Sequence, residues 1–195
     1  MPHHSIITQI LAICAAHQFL GWELRDSAGW ALIHRAAAFG HPEHITKLYN
    51  MKVIPRNLIP VDNASWSPVQ CGWSPIQCAA RFGNLLTFQR LIEELRISPY
   101  HLLEIRDSRG WNLLHLAAAS GAEEMMVHLL SMGLDALALS DPATFLLPDE
   151  LDYKKLTPRD IALHYGYVQT YDKAMQYVAS ISFAEQAHSI TKEAL

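Results

Sequence analysis

The sequence predicts an all-α fold of about four repeated helix–turn–helix units, and three observations lead there. The hexapeptides RDSAGW and RDSRGW begin at residues 25 and 106 and differ at one position. Alignment past the Trp gives GWALIHRAAAFGHPEHITKLY and GWNLLHLAAASGAEEMMVHLL, with GWSPIQCAARFGNLLTFQRLI from Gly72 between them and a weaker KLTPRDIALHYGYVQTYDKAM from Lys155. Each copy closes its first half with a glycine, at 40, 83, 121 and 166. Self-similarity at such a period marks a solenoid in which each unit buries its apolar face on its neighbours.

Each unit reads as a turn, a short helix, a closing glycine and a second helix. Asp26 and Asp107 can bond to the local backbone of the turn, while Gly29 and Gly110 permit the tight bend. Ser74-Pro75 and Thr157-Pro158 put an N-cap oxygen before a proline at the first helical position, where no N–H is needed. Asn112 can cap the third copy, whereas Ala31 has no acceptor, a deficit of about 1 kcal/mol. Ala36-Ala37, Ala79-Ala80, Ala117-Ala118 and Ala162 let neighbouring helices approach closely. The closing glycines suit left-handed C-caps.

These features resemble the ankyrin repeat family. The resemblance rests on Asp26–Gly29 with His34 and Ala36-Ala37, Ser74-Pro75-Ile76 with Ala79-Ala80, Asp107–Gly110 with His115 and Ala117-Ala118, Leu129–Gly133, and Leu156-Thr157-Pro158. It covers roughly residues 25–180 and weakens in the fourth copy, where Lys155 replaces the turn glycine and Asp160 the histidine. The expected fold is an ankyrin-repeat solenoid with repeats at about 25–62, 68–105, 106–140 and 151–180. A helical cap precedes it at 1–24, and a polar tail follows at 181–195.

Unit lengths depart from the family. An ankyrin unit takes about 33 residues. Against that length, roughly 10, roughly 5 and roughly 12 residues have been added to successive units. All the excess lies between one unit's second helix and the next unit's turn. The enlarged connectors, VIPRNLIPVDNASWSPVQ, RISPYHLLE and ALALSDPATFLLPDELD, combine prolines with Leu, Ile, Phe or Trp. Disordered linkers are poorer in apolar residues, so folded loops or extra helical turns packed on the stack are expected. Surface insertions without function are the alternative. In the last unit, Val168, Tyr171, Met175 and Val178 recur at helical spacing.

Composition narrows the function. The 195 residues are 50% hydrophobic and 17% charged with a net charge of −4, an ordinary globular balance. No Lys/Arg cluster supplies a nucleic-acid footprint, and no helix sets a basic face against an apolar one for a membrane surface. No apolar run reaches the ~18 residues of a spanning helix. The N-terminal stretch lacks the basic start of a secretory signal and reads as a capping helix. Three cysteines at no framework spacing suit a reducing compartment.

Candidate chemistry is thin. His34, His41 and His44 lie close in sequence, but the position of His34 and His115 is Gln77 in the second copy and Asp160 in the fourth. Those side chains share hydrogen bonding rather than metal affinity, which favours a polar tie over zinc. Cys78 has no oxyanion loop or nucleophile elbow around it. No catalytic residue, cofactor site or metal site is assigned, and the chain is read as a non-enzyme.

The aromatic columns are stronger candidates. Trp30, Trp73 and Trp111 follow the turn glycines, and Phe39, Phe82 and Tyr165 precede closing ones. The resemblance implies that both positions face the concave side, where partners bind, with Arg81, Arg109 and Lys154 nearby. Trp, Tyr and Arg dominate interface hot spots. Stacking of the tryptophans as structural filler is the competing reading.

The expected function is capture of a protein partner by a monomeric module acting inside cells, in the cytosol. The resemblance, together with the irregular unit lengths, also implies an effector secreted by an intracellular bacterium into a host cytosol, since such ankyrin modules occur there as well as in eukaryotic scaffolds. The alternatives are the targeting part of a larger enzyme and a self-associating structural protein.

Overall fold

The structure, a computed structural model, describes residues 9, 12, 13, 25, 26, 29–50, 73–140 and 155–193. The expected N-terminal cap (all but three of its residues), the first connector, most of the third and Lys154 lie outside the described residues. Nine helices follow in order among those described: α1 (Leu32–Phe39), α2 (Pro42–Asn50), α3 (Pro75–Arg81), α4 (Leu85–Leu95), α5 (Pro99–Glu104), α6 (Leu113–Ala118), α7 (Glu123–Ser131), α8 (Pro158–His164) and α9 (Val168–Glu193). They form four antiparallel pairs, with α5 as an addition, so the fold is an all-α solenoid.

The first helices of the pairs make an inner row, α1 on α3, α3 on α6 and α6 on α8; α2 packs on α4 and α7 on α9 outside it. Ala36, Ala37, Ala79, Ala80, Ala117, Ala118 and Ala162 are all buried where these helices meet. Larger side chains, among them Ile33, Phe88, Leu114 and Tyr171, fill the space between rows.

Each inner helix begins with the same device. The side chain at its third position accepts the N–H of the residue before the helix: Ala31 to His34 Nδ1 at 3.2 Å, Ser74 to Gln77 Oε1 at 2.8 Å, Asn112 to His115 Nδ1 at 3.3 Å and Thr157 to Asp160 Oδ2 at 2.9 Å. This is the reciprocal half of a capping box, and it explains why His, Gln and Asp interchange there. Asn112 and Thr157 complete the box by accepting from the third residue's N–H, at 2.9 and 3.2 Å. The Ser74 hydroxyl differs from expectation and turns to Gln77 Oε1 at 2.9 Å.

Three closing glycines take the expected left-handed conformation, but Gly40 does not, with φ −87° and ψ −176°. Glycine is required there for a different reason: a Cβ would run into the carbonyl oxygen of Ala36. The second connector folds as expected. Ser98 Oγ accepts the His101 N–H at 3.3 Å, Pro99 opens α5, and Leu102 is fully buried against the stack.

The expected tail from residue 181 continues α9, which runs to Glu193. Tyr171 and Ala174 carry that helix's burial, while Met175, placed on the buried stripe by spacing, is exposed. Among the described residues, no helix is long and apolar enough to cross a membrane.

Candidate functional site

The turn preceding α6 shows how the sequence builds the inner face. Gly110 sits at φ 71° and its N–H donates to the Asp107 carbonyl at 2.9 Å, closing the bend. Asp107 Oδ1 accepts the N–H groups of Arg109 and Trp111, at 2.9 and 3.0 Å. Its Oδ2 accepts the Arg109 guanidinium at 2.7 Å and the Trp73 indole N–H of the preceding unit at 3.2 Å. One buried carboxylate therefore shapes a turn and ties two units together. The first copy repeats the arrangement, with Trp30 N–H on Asp26 Oδ1 at 3.0 Å and Arg35 Nε on Oδ2 at 2.6 Å.

The indoles held by these turns do not line an open groove. Trp30, Trp73 and Trp111 are 6%, 6% and 4% exposed. Arginines cover them: Arg35 lies 4.5 Å from the Trp30 ring centre, and Arg109 lies 3.6 Å from that of Trp111 and 5.8 Å from that of Trp73. A guanidinium stacks readily on an aromatic face, and its fixed pairing with aspartate holds it there. Arg109, bound to Asp107, is thereby committed to the fold rather than to solvent.

The second aromatic column is open. Phe39, Phe82 and Tyr165, at the ends of α1, α3 and α8, are 37%, 40% and 36% exposed. Phe39 and Phe82 meet edge to face at 4.7 Å, and both contact Trp30 beneath, at 6.3 and 5.7 Å. Arg81 continues the row, its guanidinium 5.9 Å from the ring centres of both Phe82 and Tyr165. Burial between those rings lowers its pKa, with the charge of Arg109 adding to the effect. The result is a strip of aromatic rings with one cation, its Phe39–Phe82 end resting on Trp30.

Other candidates are placed differently. Cys78 is fully buried in the core, where no substrate reaches its sulfur. His34, His44 and His115 are buried, and each side chain accepts a backbone N–H through Nδ1. His115 Nε2 also donates to the Leu156 carbonyl at 3.0 Å, tying α6 to the next unit's turn. Desolvation pushes its pKa down to about 4. Among the described residues, no group of three His, Cys, Asp or Glu could hold a metal ion.

Sequence comparison agrees with this architecture. The family described as ankyrin repeats (3 copies) matches residues 33–139, more than half of the chain. A calmodulin-binding transcription activator from Oryza sativa subsp. japonica is 40% identical over 65 residues, which is 33% of this chain. The matched segment spans only 6% of that relative's length. Ankyrin repeats act as protein–protein interaction modules, and this chain belongs to the ankyrin repeat family.

Proposed function

We propose that this chain captures a partner protein on the inner face of its stack, burying Phe39, Phe82 and Tyr165 against it. Arg81 takes part beside those rings, and the buried Trp30 supports Phe39 and Phe82. The observation that carries this reading is the open strip itself: three exposed aromatic side chains at one repeat position, two of which, Phe39 and Phe82, pack on Trp30. Rigid aromatic anchors lose little conformational entropy on binding and supply most of the affinity at interfaces. In this reading the module acts by binding. Action in the cytosol extends this reading on the strength of three cysteines at no framework spacing, and a host-directed effector role extends it by analogy with ankyrin modules of irregular unit length.

Affinity capture from extract with wild-type protein and a Phe39→Ala/Phe82→Ala/Tyr165→Ala variant tests it. A partner held by wild type should be lost from the variant, while Glu123→Ala on the outer row retains it. A partner held equally by all three proteins would refute the inner-face assignment.

A further inference from the structure

The third unit breaks the aromatic column. At the two positions where its neighbours carry Arg81-Phe82 and His164-Tyr165, it carries Ala119-Ser120. The register therefore leaves a notch between Phe82 and Tyr165, and the Arg81 guanidinium reaches toward both rings there. Ser120 does not compete for a ligand, because its hydroxyl donates to the Ala117 carbonyl at 3.0 Å.

Arg81 stands apart from the other arginines of the inner face. Arg35 is paired with Asp26 and Arg109 with Asp107. Arg81, among the described residues, has ring contacts but no hydrogen bond and no ion pair. A half-buried guanidinium loses hydration without gaining an acceptor, which disfavours the charged form, and the lowered pKa agrees. A partner carboxylate would restore what that cation lacks. One unpaired charge, in a chain of net charge −4, matches a monovalent carboxylate better than a dianionic phosphate.

We propose that the notch between Phe82 and Tyr165 seats one Asp or Glu side chain of the partner on Arg81, with apolar partner residues packed on the flanking rings. The assignment rests on the inner-face reading above and narrows the partner to an acidic–apolar segment.

Selection from a display library of short random peptides supplies the probe. Enriched peptides should carry Asp or Glu beside an apolar residue. One such peptide, its Glu→Gln (or Asp→Asn) form and its phosphoserine form are then titrated against wild type, Phe82→Ala and Arg81→Met. Neutralising the peptide should weaken binding to wild type roughly tenfold and cost nothing further on Arg81→Met. Enrichment without acidic residues, an equal loss on Arg81→Met, or tighter binding of the phosphoserine form each overturns the carboxylate seat. If Phe82→Ala still weakens binding in those cases, the inner-face reading survives. Indifference to Phe82→Ala, or no enriched peptide at all, overturns both. Arg81→Met should also keep its melting temperature within about 2 °C of wild type. A larger fall would make Arg81 a packing wedge and defeat the proposal.

Discussion

Asp107 and His115 show how single polar residues set the stability of the stack. Asp107 is buried and receives two backbone N–H groups, an indole and a guanidinium. Replacing it with Ala strands the largely covered Arg109 charge and the Trp73 N–H, and should destabilise the protein by roughly 3 kcal/mol in urea unfolding. His115 makes stability depend on pH. Its folded pKa, about 4, lies below the ordinary histidine value of about 6.5, so the unfolded chain binds the extra proton between those values. Stability is therefore fully present above about pH 6.5 and falls as pH drops toward 4, by about 3 kcal/mol in all. His115→Gln, the side chain the second unit uses, should flatten that part of the profile; an unchanged acid slope would assign it to other groups.

At the scale of elements, the helix pairs are legible because their signals are local. Turn glycine, N-cap, proline and alanine pairs each report on a few neighbouring residues, and the shared third-position tie follows from the exchange of His34, Gln77, His115 and Asp160. Gly40 departs from expectation because a glycine needed for close approach looks the same in sequence as one needed for positive φ. The end of α9 escapes a sequence reading because SITKEAL, polar and without a stop signal, is equally compatible with helix and tail. The second connector is part of the fold rather than an ornament. Leu102→Ala should cost about 2–4 kcal/mol, as for a core leucine, and Ser98→Ala about 1 kcal/mol through its cap. A negligible effect of Leu102→Ala on the urea midpoint would show that α5 lies loosely on the stack.

Across the whole molecule, two aromatic columns with the same repeat spacing have different fates. Position in the repeat is readable from sequence; which column stays open is not, because it depends on arginines folding back over the indoles. Arg35 and Arg109 do so through Asp26 and Asp107, contacts that span nine residues in one case and two in the other. The rings of Phe39, Phe82 and Tyr165 stay partly exposed. Stability and binding should therefore separate by column. The most direct test pairs thermal melting with affinity for a selected peptide, on Trp73→Ala and Phe82→Ala. Trp73→Ala should lose roughly 3–5 kcal/mol of stability. Phe82→Ala should melt within about 4 °C of wild type while its affinity falls roughly tenfold or more. Normal melting of Trp73→Ala, or unchanged affinity of Phe82→Ala, would contradict the division between the buried column and the contact surface.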